Sequence, residues 1–184
     1  MYRALLLGVV FSAISFVPAA MASQHSEEFR AAFSGFNEVG ALNAQSGAIL
    51  SDGNATLVLK LDRSAQTLSY TLKFSGLTSV TQAHIHFGKV HMAGGVMVFF
   101  CSNLATAPAG TQPCPAGAGT VTGTLTAANV LAIAGQNVPA GDFGALVDAL
   151  ESETAYANIH TTSFPAGEIR GEIRRGFGFG LHDE

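Results

Sequence analysis

The sequence predicts a mainly β protein, an antiparallel sandwich or barrel. Three observations predict it. Short runs rich in apolar and β-branched residues recur along the chain and are split by turn residues. One run, residues 67–74 (TLSYTLKF), alternates without a break: Leu68, Tyr70, Leu72 and Phe74 share one face, and Thr67, Ser69, Thr71 and Lys73 the other, the period of a half-buried strand. The chain of 184 residues holds 21 Gly and is 48% hydrophobic but only 12% charged. That balance excludes a disordered protein and suits many turns better than a helical bundle, while the length fits one domain.

Residues 1–22 have the three-part layout of a secretory signal peptide. Met1-Tyr2-Arg3 carries a positive charge, residues 4–17 form an apolar run, and Ala20 and Ala22 supply the A-x-A pattern. The competing reading is a buried N-terminal helix. Cleavage after Ala22 leaves a short N-terminal segment, 23–28, then a domain at 29–175 and a flexible tail at 176–184. It also exposes Ser23-Gln24-His25, whose amine, amides and third-position imidazole can wrap Cu(II) or Ni(II) in a square plane. No second long apolar stretch follows, so no membrane span is expected after signal removal.

Strands are expected at 29–36, 55–61, 67–74, 80–87, 95–102, 119–125, 155–160 and 168–174. The polar link 62–66 makes the second and third a hairpin. Two short helices are expected in a long connection between sheets. One covers 126–135, opening on Thr126 and closing on Gly135. The other covers 142–151, opening on Asp142 and spacing Phe143, Leu146, Val147 and Leu150 at helical intervals.

Lys plus Arg number 9 and Asp plus Glu 13, for a net charge of −4 with no basic cluster, which argues against a nucleic-acid partner. Cys101 and Cys114 are the only cysteines. An even count behind a signal peptide suggests a disulfide; free thiols or metal ligands are the alternative, although the spacing is not C-x-x-C. The segment EIRGEIR reads as Glu168, Arg170, Glu172 and Arg174 on the solvent face of one strand, pairing across to a neighbour. No G-x-S-x-G, H-E-x-x-H or phosphate-binding glycine loop occurs.

The histidines carry the chemistry. In AHIHFGKVHMAGG, His84 and His86 lie on one face of a strand and Ile85 on the other; in YANIHTTSFPAGEIRG, Asn158 and His160 lie opposite Ile159, and Arg170 opposite Ile169. If the three isoleucines enter the core and the strands are neighbours, His84, His86, His160, Asn158 and Arg170 form one outward-facing patch. Imidazole is the commonest protein ligand for zinc and copper. His84, His86 and His160 are therefore candidate metal ligands, with His91 beyond the turn at Gly88 as a fourth and Met92 as a softer donor nearby. The bland reading is a set of histidines that hydrogen-bond loops and fix a sheet edge.

The runs AHIHFGKVHMAGGVMVFFCSN, CPAGAGTVTGTLTAANV and YANIHTTSFPAGEIRGEI, with Gly35-Phe36-Asn37-Glu38-Val39 upstream, resemble the CHRD (chordin-type) domain family over about residues 29–175. Gly40-Ala41 departs from the proline that often follows the upstream element. The resemblance implies a secreted or periplasmic immunoglobulin-like β-sandwich, also likened to the Cu/Zn superoxide dismutase sandwich. That likeness would put His84, His86 and His160 at copper-ligand positions, with Arg170 as an anion-attracting group and Asn158 beside it; an obvious separate zinc set is absent. The expected function is transition-metal binding, copper before zinc. The alternative is a non-catalytic extracellular protein-interaction module with structural histidines. Copper-only dismutation is the one enzymatic option.

Overall fold

Alternating strands pair into two antiparallel sheets in the computed structural model, which describes residues 27–40 and 47–176. The signal-peptide segment, the third-position His25 and residues 177–184 of the expected tail lie outside the described residues. In chain order the elements are β1 (Glu27–Phe33), β2 (Asn54–Asp62), β3 (Thr67–Ser75), β4 (Val80–Phe87), β5 (Gly95–Ser102), β6 (Gly119–Leu125), α1 (Phe143–Glu151), β7 (Ala155–Thr161), β8 (Ile169–Glu172) and β9 (Arg174–Arg175). One sheet runs β6-β3-β2-β1-β9 and the other β5-β4-β7-β8. No helix among the described residues is long and apolar enough to cross a membrane.

The hairpin shows how the sequence pattern becomes a core. Register pairs Leu57 with Leu72, Leu59 with Tyr70 and Leu61 with Leu68. All six are buried. The intervening pairs, Thr56 with Lys73 and Lys60 with Ser69, face away. From the second sheet Ile85, Ile159 and Ile169 meet this layer, each fully buried, as the alternation required.

The sheets are tied at both ends. On one side Ser34 and Arg170 exchange two backbone hydrogen bonds of 3.1 Å. The chain then passes from β8 in one sheet to β9 in the other at buried Ile173, the corner geometry of a strand that switches sheets. The segment 168–174, expected to be one strand, is thus divided between the two layers. On the other side Cys101 and Cys114 form a disulfide, and the Tyr70 hydroxyl donates to the Phe100 carbonyl at 2.9 Å.

One of the two expected helices forms. Asp142 caps α1 by accepting from the Ala145 N–H at 2.9 Å, and Phe143, Leu146, Val147 and Leu150 are its buried stripe. The other, 126–135, breaks into two single 3-10 turns at Ala127–Asn129 and Ala134–Gln136. The start signal works, since Asn129 reaches back to the Thr126 N–H at 2.8 Å. Propagation fails because Leu131 donates to Met97 of β5 and Ile133 exchanges backbone bonds with Val138. Tertiary partners take the amides that a helix would use, and β-branched Val130 and Ile133 lower the helical alternative.

Candidate metal centre

β4 and β7 are adjacent and antiparallel, with His84 opposite Asn158 and Gln82 opposite His160. That register, with the two-residue side-chain period, brings His84, His86, Asn158 and His160 to one face. Ligand atoms of His84, His86 and His160 all lie within 4.8 Å of one another. The His84 ring is 4.6 Å from that of His86 and 4.5 Å from that of His160, centroid to centroid.

The patch does not face solvent. His84 is 2% exposed, His86 8%, His160 6%, Asn158 3% and Arg170 0%, which corrects the outward-facing reading. The face is opposite the core, as expected, but it is roofed. Gly94 and Pro165 lie over the imidazoles, Phe99 packs on His84 at 4.9 Å, and Glu38 closes in behind Asn158. β7 is consequently buried at every position.

The roof fixes the rings. His86 Nδ1 lies 2.8 Å from the Gly94 carbonyl oxygen, and His160 Nδ1 lies 2.9 Å from that of Pro165. A carbonyl only accepts, so both Nδ1 atoms carry the proton. Burial, the largest cause, brings the His86 pKa down to about 4 and lowers that of His160. Both rings are then neutral near pH 7, with bare Nε2 atoms directed inward. His84 is pushed well below its ordinary value by burial and then by its two neighbouring imidazoles. Its Nδ1 is buried with no hydrogen-bond partner. Neutral rings with an anchored second nitrogen are the state a metal ligand needs. A site with bonds of about 2.1 Å has nitrogen–nitrogen edges of roughly 3.4 Å, so closing on an ion asks the rings to move by about an ångström.

Three other residues belong to the site. Tyr156 stacks on His86 at 4.6 Å with planes 3° apart. It sits two residues before Asn158 in YANIH, so the period that linked Asn158 to His160 also pointed to it. Glu38 Oε1 accepts from the N–H groups of Val39 and Gly40, and burial pushes its carboxyl up. Its only sequence signal was its place in GFNEV. The third is the backbone at Gly94, whose N–H donates to the Tyr156 hydroxyl at 3.1 Å.

Arg170 is committed elsewhere rather than open to anions. It pairs with Glu172 at 2.8 Å, and its Nη1 and Nη2 donate to the Met92 and Lys89 carbonyls. The solvent-face reading of EIRGEIR also gives way at Glu168, which is buried and accepts from Ser51 and Thr161 at 2.6 Å; Arg174 alone pairs as an exposed residue, with Glu153. His91 is not in the group whose ligand atoms lie within 4.8 Å of one another; it is exposed, at a left-handed φ of 61°.

The family model of the CHRD domain matches residues 29–173. The chain belongs to the CHRD domain family. Neither a curated protein nor a solved structure matches it. In this CHRD domain the match runs from β1 to the corner at Ile173 and takes in every residue of the triad and its roof. The disulfide is consistent with an extracytoplasmic setting.

Proposed function

We propose that this CHRD domain binds a transition-metal ion, copper in preference to zinc, through His84, His86 and His160 in an extracytoplasmic compartment. The observation that carries the reading is the convergence of three buried imidazoles within 4.8 Å, one of them with a buried nitrogen that has no hydrogen-bond partner. Two more points support it. The backbone carbonyls that hold His86 and His160 are the outer partners that ligating imidazoles ordinarily have. The two cysteines are joined, which leaves a nitrogen-rich site, and divalent copper outranks zinc on such donors.

A second reading has its own observation. The same carbonyl bonds would also serve histidines that only pin the roof to the sheet. This is the structural module, whose partner would be an extracellular protein.

Thermal melting with Cu(II), Zn(II) or a chelator separates the two. An ion that binds only the folded state stabilises it by about 2.7 kcal/mol at one hundred times Kd. The metal reading expects that rise in the wild type and its loss in a His84→Ala/His86→Ala variant. Equal, weak responses in both, with the variant less stable in chelator as well, would leave the structural reading.

A further inference from the structure

We propose that Asn158 is the fourth donor of the centre: its carboxamide oxygen joins the three imidazoles on a divalent ion, and Glu38 orients it by accepting from Nδ2. The proposal rests on reading the triad as a metal site and names one more ligand of it.

Asn158 Oδ1 lies 3.0 Å from His86 Nε2 and 3.0 Å from His160 Nε2. Each of those imidazoles donates its Nδ1–H to a carbonyl on its far side, so each turns the lone pair of Nε2 toward Asn158. An amide oxygen offers only lone pairs. Three acceptors therefore meet, none of which brings a proton to the others, and all three residues are buried. A cation resolves that conflict. The separations fit, because donors about 2.0–2.2 Å from one ion stand roughly 2.9–3.4 Å apart.

The other resolution is to turn the amide over, so that its NH2 group faces the two Nε2 atoms. The surroundings oppose it. In the orientation described, Nδ2 points at Glu38 Oε2, 3.5 Å away; turned over, the oxygen would face that carboxylate. Glu38 has little room to withdraw. Its Oε1 is held by the N–H groups of Val39 and Gly40. Its Oε2 lies against Gly167, where even a methyl group would stand 2.4 Å from it and 3.0 Å from Asn158 Nδ2. A carboxylate behind the amide also makes its oxygen a better donor, as outer partners of metal ligands do.

The direct test is a crystal structure of the wild-type protein grown with Zn(II). The expected result is an ion on the three imidazoles with Asn158 Oδ1 about 2.2 Å from it. In solution, Asn158→Asp, which keeps the oxygen and adds charge, should bind Zn(II) more tightly than wild type, and Glu38→Gln should weaken binding by about tenfold or more. An ion on the three rings with Oδ1 more than about 3 Å away, and Asn158→Asp and Glu38→Gln binding as wild type does, overturns the fourth ligand but leaves the triad standing. No ion at the rings, with no measurable Zn(II) or Cu(II) affinity in wild type, overturns the metal reading itself. The wild-type measurements decide the matter if a variant does not fold.

Discussion

Arg170 lies over the ring of Tyr156, its guanidinium carbon 3.3 Å from the ring centroid. Since Tyr156 stacks in turn on His86, a cation, an aromatic ring and an imidazole form one column beside the triad. The same guanidinium holds the carbonyls of Lys89 and Met92, so the column and the loop above it share one anchor.

Replacing that anchor should be costly. Arg170→Met keeps the bulk but leaves Glu172 facing an apolar side chain and frees the 89–92 loop. Removing one partner of a buried pair typically costs about 3–5 kcal/mol; Glu172 is partly exposed, so a loss near 3 kcal/mol is expected. Urea denaturation measures it. A loss below about 1 kcal/mol would mean that the column contributes little.

Acid should destabilise the apo fold well above the carboxylate range. The folded pKa of His86 is about 4 against an ordinary 6.5, and those of His84 and His160 are lowered too. Between these limits the unfolded chain binds protons that the folded chain refuses, so stability is fully present above pH 6.5 and falls as pH drops toward 4. His86 alone accounts for about 3 kcal/mol of that fall. Glu38 acts oppositely: its carboxyl is raised by burial, so its contribution is lost as pH rises. Three imidazoles against one carboxyl leave the net slope positive. Melting temperature measured in chelator from pH 7 to pH 4 should decline steadily; a flat profile would contradict the burial of neutral rings.

The disulfide closes a stretch with a sequence separation of 13. Loop entropy for about that length corresponds to roughly 3 kcal/mol. Cys101→Ser/Cys114→Ser, or reduction of the wild type, should lower stability by about that amount while leaving the triad, on the far face of β4, able to form. Unchanged unfolding midpoints under reducing and oxidising conditions would rule this out.

Gly167→Ala tests the packing behind Asn158. Gly167 has φ +126°, and an added Cβ would meet Glu38 and Asn158. Strain of this kind costs of order 1–3 kcal/mol. The substitution should lower the melting temperature and, if the metal reading holds, weaken metal affinity as well. Wild-type stability would show that the segment adjusts freely.

Much of this was legible from alternation alone. Ile85, Ile159 and Ile169 pointed to the core, and the residues between them pointed the other way together. Period two reports which side chains share a face, not what covers that face. The roof comes from short segments around Glu38, Gly94 and Pro165, whose positions depend on distant bonds such as Arg170 to Met92. Polar residues in a strand look the same in sequence whether they meet water or a loop. The helix at 142–151 could be read because cap and stripe agree; at 126–135 the cap signal had no stripe behind it, and backbone partners from β5 decided the outcome. The division at Ile173 was invisible because a strand that changes sheets keeps its local pattern.

β5 departs twice from simple pairing with β4. Register shifts fall between Ala83 and His84 and between Ile85 and His86, so Phe100 and Met97 are supernumerary in β5. Each extra residue reverses the parity of the rest of the strand, and the second reversal undoes the first. Phe99 thereby meets His84 while Val98 returns to the interior opposite Ile85. Deleting Phe100 or Met97 would remove one bulge and leave the remaining pairs, Phe99 with His84 and Val98 with Ile85 among them, opposite one another. Loss of one residue at either bulge should therefore be tolerated, whereas loss of Ile85 from β4, regularly paired with β7 there, should turn His86 to the opposite side of the sheet.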